Sequence, residues 1–157
     1  MPLCKEVIAY DEAYNTSDRE FPAFVSFVSF EELLSRSDVI SIHAPLNEKT
    51  YHVFNADTMS LMKPSAYLIN VSRGGIVDED ALYKVLKNEK LAGAALDVVE
   101  REPMTADNPL LSLSNFSISP HAAWYSEEAA QDMKRKVAEE AVRFIKGARV
   151  LNPVNII

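Results

Sequence analysis

The stretch 66–75, AYLINVSRGG, constrains this chain more than any other part of it. Residues 66–71 form an apolar run with an aromatic and β-branched bias and no helical period. That pattern predicts a strand buried on both faces, as in parallel sheets. The run stops at Ser72-Arg73-Gly74-Gly75, where two glycines free the backbone to turn. Asp78 then opens a helical stretch, DEDALYKVLKNEKL, with acidic residues in its first turn. Arg73 therefore stands at the carboxyl end of a buried strand, where open α/β sheets bind ligands. From this stretch alone it reads equally as a ligand anchor or a solvated turn residue.

The neighbouring segments repeat the strand-to-helix alternation. Residues 6–10 (EVIAY) predict a short strand with Asp11 at its end, and 25–28 a short edge strand. An acid after such a strand serves ribose hydroxyls in dinucleotide-binding folds and disfavours a 2′-phosphate, although a lone Asp is more often a turn former. Ser29 and Glu32 have capping-box spacing before FEELLSRS. Residues 38–43 (DVISIH) predict a strand stopped by Ala44-Pro45. Asn55 is placed to cap a helix running to Met62, with Pro64 as its breaker. Residues 92–99 (AGAALDVV) predict another strand, with Asp97 inside it; a buried carboxylate there needs a partner. A strand at 115–119 ends at Pro120-His121. Ser126 caps a long helix whose stripe is Met133, Val137, Ala141, Phe144 and Ile145, with Gly147 placed to end it. The expected fold class is α/β: a partial, Rossmann-like, doubly wound parallel sheet with helices on both faces. The expected division is a dinucleotide-binding domain at 1–150 and an apolar tail, 151–157, that docks elsewhere.

Composition narrows the partners. A chain of 157 residues suits one domain with a sizeable core. Its formal net charge of −7, with no basic cluster, argues against nucleic acid or an anionic membrane surface. No apolar run has membrane-helix length, and the N-terminus has no signal-peptide pattern, so the expected location is cytoplasmic. The single cysteine, Cys4, leaves no internal disulfide and suggests no metal site.

Four polar residues stand at or just past successive predicted strand ends: His43, Arg73, Glu102 and His121. Taken singly, each is more simply a strand-end or turn residue. Right-handed crossovers bring all these ends to one sheet edge. Together, an arginine, a carboxylate and a histidine supply an anion anchor, an orienting group and a proton donor.

NVSRGGIVDEDAL, GAALDVVEREP and ISPHAAWYSEEA resemble consecutive signatures of the D-isomer-specific 2-hydroxyacid dehydrogenases, and HAPLNEKT resembles the loop that precedes them. The likeness runs from about Glu6 to Val154. It implies NAD as cofactor and a small 2-oxo or 2-hydroxy acid as substrate. It implies a homodimer for the full-length protein. On it, Arg73, Glu102 and His121 match the catalytic Arg, Glu and His. Asp97 matches the residue that holds the nicotinamide carboxamide, and Asp11 the ribose-binding acid. His43, Ala44 and Pro45 fall in the cofactor-lining loop, and Val71, Ser72, Arg73, His121 and Ala123 join the implied cofactor contacts. Trp124 resembles a branch of C-terminal-binding corepressors and their bacterial relatives, in which a Trp borders the substrate; core or interface packing accounts for it equally well.

The likeness breaks at one place. No G-x-G-x-x-G lies ahead of Asp11, and the first of four glycines is Gly74. The fold's first strand, its phosphate loop and most of the substrate domain are then expected to be missing. In the 3-2-1-4-5-6 strand order that lost strand lies between those ending at Asp11 and His43. Either the two close up, another chain fills the gap, or the sheet is exposed there. Three functional readings follow: a dehydrogenase once its N-terminal half is supplied, a corepressor-like NADH-responsive binding module, or an inactive fragment of a longer enzyme.

Overall fold

The computed structural model describes residues 4–12, 21–151 and 153. They fall in two compact units, 1–121 and 122–157. In the first unit the strands are β1 (Val7–Ala9), β2 (Val25–Phe27), β3 (Val39–Ile42), β4 (Tyr67–Asn70), β5 (Gly93–Leu96) and β6 (Phe116–Ile118). Its helices are α1 (Phe30–Arg36), α2 (Ala56–Met59) and α3 (Glu79–Lys87). The second unit carries α4 (Glu127–Ile145). Every strand pairing is parallel, in the orders β1-β2 and β3-β4-β5-β6. This is the parallel α/β class expected, although α1 to α3 join one core on a single face of the β3–β6 sheet and not on both. β1 and β3 belong to separate sheets among the described residues, so the two strands flanking the expected gap do not close up.

The caps explain where the helices begin and end. Ser29 accepts from the Glu32 N–H at 3.1 Å and starts α1, while the Glu32 carboxylate turns to Arg36. Asn55 and Thr58 close a full capping box on α2, which is shorter than expected. Beyond Met59 the chain tightens into i→i+3 bonds, Leu61 to Thr58 and Met62 to Met59. Asp78 caps α3 through the Ala81 N–H at 2.9 Å. That helix stops at Lys87, short of the expected end, because the Asn88 amide donates to the Lys84 carbonyl at 2.7 Å and Glu89 turns left-handed at φ 52°. In the second unit Ser126 caps α4, and Gly147 at φ 66° ends it as expected.

The core lies on one face of the β3–β6 sheet. Ile40, Ile42, Leu68, Ala94 and Leu96 point into it and meet Leu34, Met59, Leu82, Val85, Leu86 and Leu110 from the helical layer. The opposite face shows Val39 at 56% and Tyr67 at 51% exposure. Burial of the central strand on both faces, expected from its apolar run, is thus corrected to alternating burial. Val39 and Tyr67 are apolar enough to hide the alternation from a reading of the sequence. No helix is long and apolar enough to cross a membrane among the described residues. Most of the tail from 151 onward lies outside the described residues.

Candidate functional site

Because β3 to β6 are parallel, their carboxyl ends share one edge, and that edge gathers His43, Arg73, Asp97 and His121. The backbone ladder continues past the strands and sets their spacing. Asp97 N–H donates to the Asn70 carbonyl at 2.8 Å, Ser119 N–H to the Leu96 carbonyl at 3.0 Å, and His121 N–H to the Asp97 carbonyl at 2.9 Å.

Asn70 is fully buried at the end of β4 and wires the turn that carries Arg73. Its amide donates to the Arg73 carbonyl at 2.9 Å, and its oxygen accepts the Ser72 N–H at 3.0 Å. The Ser72 hydroxyl donates to the Ala44 carbonyl, tying this turn to the one after β3. Arg73 is exposed, with its guanidinium donating to the Ser72 carbonyl at 2.7 Å. The 45–50 loop is fastened internally: Thr50 Oγ1 donates to the Pro45 carbonyl at 2.6 Å, and Asn47 Oδ1 accepts from the N–H groups of Lys49 and Thr50. Between the two turns lies a cleft of about 610 Å³ lined by His43, Ala44, Pro45, Leu46, Ser72 and Arg73. His43 sits there with Nε2 2.9 Å from Ser41 Oγ. Asp11 follows β1, and its neighbour Glu12 pairs with Lys49 at 2.6 Å, which brings that turn to the loop bordering the cleft.

Asp97 is not inside a strand: β5 ends at Leu96 and Asp97 is the first residue past it. Its N–H still bonds to Asn70, so the ladder outlasts the strand by one residue. Asp97 is 6% exposed, and its carboxylate accepts the Ser119 hydroxyl, a partner of the kind its burial demands.

Glu102 Oε2 lies 2.9 Å from His121 Nδ1, and both side chains are a little over two-fifths exposed. The hydrogen bond from the imidazole, helped by the Val99 N–H, holds the Glu102 carboxyl below the usual range against its partial desolvation. An ionised Glu102 makes Nδ1 the donor of that bond. His121 is left-handed, φ 54°, a conformation costing about 1–2 kcal/mol in a non-glycine residue. Its N–H, bonded to Asp97 and at 3.0 Å to Ser119, fixes that turn. Gly74 provides the remaining close approach: a Cβ there would lie 2.0 Å from the Val99 carbonyl carbon and 2.5 Å from the Glu100 nitrogen. Only glycine lets the Arg73 turn pack backbone to backbone on the turn that carries Glu102.

The structure thus brings together His43, Ala44, Pro45, Ser72 and Arg73 along one cleft, and Asp97, Glu102 and His121 along the same edge. Val71 lies beside Ser72 at the end of β4, half-buried. Ala123 and Trp124 fall in the second unit, where the exposed Trp124 ring meets Tyr125 edge-on at 5.6 Å. Sequence reading missed Asn70 and Ser119. A polar residue closing an apolar strand, and a serine ending its neighbour, were the available signals. Among the described residues no group of three or more His, Cys, Asp or Glu side chains is placed to hold a metal.

The residues fit part of a dinucleotide. A cleft of this size, lined by Ala44, Pro45 and Leu46 together with an imidazole, a hydroxyl and a guanidinium, suits a nicotinamide–ribose moiety. The pyrophosphate cradle, a glycine-rich turn at a helix N-terminus, has no counterpart in this sequence.

Residues 2–123 match the family model described as D-isomer specific 2-hydroxyacid dehydrogenase, NAD binding domain. A glyoxylate reductase from Korarchaeum cryptofilum is 44% identical over 148 residues, covering 94% of this chain and 45% of the relative. Among solved structures, an NAD complex of a D-isomer specific 2-hydroxyacid dehydrogenase from Lactobacillus delbrueckii ssp. bulgaricus superposes with TM-score 0.83 and 33% identity, over 96% of this chain and 49% of that one. An acyclic imino acid reductase complexed with NADPH and D-Arg reaches TM-score 0.80 and 35% identity, over 97% and 46%. The chain therefore spans about half the length of the relatives it matches.

Proposed function

The chain belongs to the D-isomer specific 2-hydroxyacid dehydrogenase family, matching its NAD-binding domain, and on that premise we propose that its strand-end site serves NADH-dependent reduction of a small 2-oxo acid. The observation that carries the reading is the 2.9 Å pairing of His121 Nδ1 with Glu102 on the edge that also presents Arg73. The Arg73 guanidinium grips the substrate carboxylate with two parallel bonds and draws electron density from the adjoining carbonyl. His121 Nε2 gives its proton to the carbonyl oxygen, and takes it back in the reverse direction. Glu102, kept ionised, fixes the tautomer of the imidazole. Asp97, steered by Ser119, would hold the carboxamide of the cofactor. His43, Ala44, Pro45, Val71 and Ser72 would line the cofactor, and Asp11 would take ribose hydroxyls and repel a 2′-phosphate. When bound, the nicotinamide supplies the hydride.

We place this chemistry in a longer protein, in which a preceding segment supplies the phosphate loop and a substrate domain closes over Arg73 and His121. The exposed apolar side chains Val137, Phe144 and Ile145 of α4 support a homodimer as its assembly. The chain alone should bind NADH weakly and not turn over.

In the full-length protein, His121→Ala should lower kcat about 10²–10⁴-fold while NADH binding persists. Turnover near the parent's would dismiss the proton-donor role. Arg73→Lys should abolish affinity for a substrate-like inhibitor such as oxamate; unchanged affinity would move the carboxylate anchor elsewhere. A preference for NADPH over NADH in kcat/KM would overturn the role of Asp11.

A further inference from the structure

A second carboxylate arrangement, which the proposed reaction does not use, joins the start of α3 to the turn that carries Glu102. Glu79, the first residue of α3, and Glu100, in the turn between β5 and Glu102, exchange backbone bonds across 21 residues of sequence. Glu79 Oε1 accepts the Glu100 N–H at 2.6 Å, and Glu100 Oε1 accepts the Glu79 N–H at 3.1 Å. Asn108 reaches the other Glu79 oxygen at 3.4 Å, and His52 Nε2 stands 3.1 Å from Glu100 Oε1. His52 is itself fastened to the Arg73–Gly75 segment, donating its N–H to the Gly75 carbonyl at 2.8 Å.

Two acids drawn together in this way carry a Coulombic penalty. Burial, with the Glu100 charge adding to it, pushes the Glu79 carboxyl up. Only the backbone geometry gains from the pairing. Each carboxylate satisfies the other residue's main-chain N–H, so the position of the Glu100 backbone is fixed relative to the start of α3. Gly74 presses on the same peptide from the Arg73 side. Two residues further on, Glu102 must reach His121, and it also accepts the Val99 N–H at a long 3.4 Å.

We infer that Glu79 and Glu100 are positioning residues: their reciprocal backbone bonds hold the 99–102 turn so that the Glu102 carboxylate meets His121 Nδ1. This rests on the reading of Glu102 and His121 as the proton-handling pair. Its test, however, reads the pairing itself and not turnover. What the pair needs at positions 79 and 100 is an acceptor oxygen at the right reach, not a charge. Glu100→Gln therefore keeps the arrangement, and Glu100→Ala and Glu79→Asp break it, the latter by withdrawing the oxygen one methylene while leaving a residue well suited to the start of a helix.

The experiment is a carbon-detected NMR titration of the Glu102 side-chain carboxyl in this chain and its three variants. In the parent and Glu100→Gln, Glu102 should titrate below the ordinary glutamate range. In Glu100→Ala and Glu79→Asp its midpoint should rise toward that range, while the amide spectrum of β3 to β5 stays in place. A Glu102 midpoint unmoved in either folded variant overturns the inference. If Glu100→Ala fails to fold, Glu79→Asp alone decides it on the same criterion. In the full-length protein, Glu79→Asp should lower kcat about ten- to a hundredfold with KM little changed. A shifted Glu102 midpoint with unchanged kcat would keep the positioning role and remove catalysis from the Glu102–His121 pair.

Discussion

The β3–β6 sheet and the β1–β2 pair are both parallel, and both carry an acid just past a strand end, yet they rest on different physical footings. The four-stranded sheet buries Ile40, Ile42, Leu68, Ala94 and Leu96 against three helices. The two-stranded pair buries none of its residues fully, and holds together through register bonds and side-chain contacts such as the edge-on Phe21–Phe27 rings at 4.7 Å. A pair of short strands is marginal in water on its own. The groups to which we assign the chemistry, Arg73, Asp97 and His121, all stand at the ends of the sheet with the core. Asp11, whose partner would be a hydroxyl pair at the outer end of a cofactor, stands on the weaker element. Precision and burial therefore coincide in this molecule.

The sharpest way to break that contrast is to hollow out the larger sheet. Leu68 is fully buried in β4, and Leu68→Ala should cost about 2–5 kcal/mol through lost transfer energy and a cavity. In a chain of this size that lowers Tm by roughly 5–15 °C. Phe27→Ala, in the small pair, should cost about 1 kcal/mol. Equal losses in urea unfolding would show that the two sheets share one cooperative core. Hydrogen exchange gives the complementary view: amides of β4 and β5 should exchange near the global rate, those of β1 and β2 much faster.

Next in size is the seam between the turns on the stronger sheet. Gly74→Ala places a methyl carbon against main-chain atoms of Val99 and Glu100, which no rotamer can relieve. The cost should be about 1–3 kcal/mol, with chemical-shift changes spreading to Glu102 and His121. A variant as stable as the parent, with His121 shifts unmoved, would mean that the two turns are not rigidly joined. Smaller again, Asp78→Ala removes the cap of α3 and should cost about 1 kcal/mol, read as the chemical-denaturation midpoint.

These contrasts also mark what could be read in the sequence. The strand ends were legible because each apolar, β-branched run stops at a turn former, as at Ser72-Arg73-Gly74 and Pro120-His121, and a parallel sheet then brings the ends to one edge. That logic placed Arg73, His121 and Glu102 together without a single distance. Alternating burial was not legible, because Val39 and Tyr67 are as apolar as the residues that face inward. Asp97 was assigned to the strand for a related reason: its N–H continues the ladder although its side chain leaves it. The Glu79–Glu100 exchange leaves no trace at all. Charged residues 21 positions apart, one in a helix start and one in a charged turn, look like ordinary solvated acids until the fold opposes them.

The smallest expected effect concerns that same pair and sharpens the comparison at its finest scale. Burial and the neighbouring Glu100 raise the Glu79 carboxyl above its unfolded value, so the native state holds its proton to higher pH than the unfolded chain does. Stability from this group therefore falls as pH rises from the ordinary glutamate range through the raised native value, and the penalty is complete at neutral pH. Glu79→Gln keeps an oxygen for the Glu100 N–H and removes the desolvated charge. It should raise Tm by about 1–2 °C at pH 7, the gain kept small because half of the group remains open to solvent screening. Below the ordinary glutamate range both side chains are neutral and the two melting curves should coincide. A variant less stable than the parent at pH 7 would show that the charge itself, through the N-terminus of α3, outweighs the cost of burying it beside Glu100.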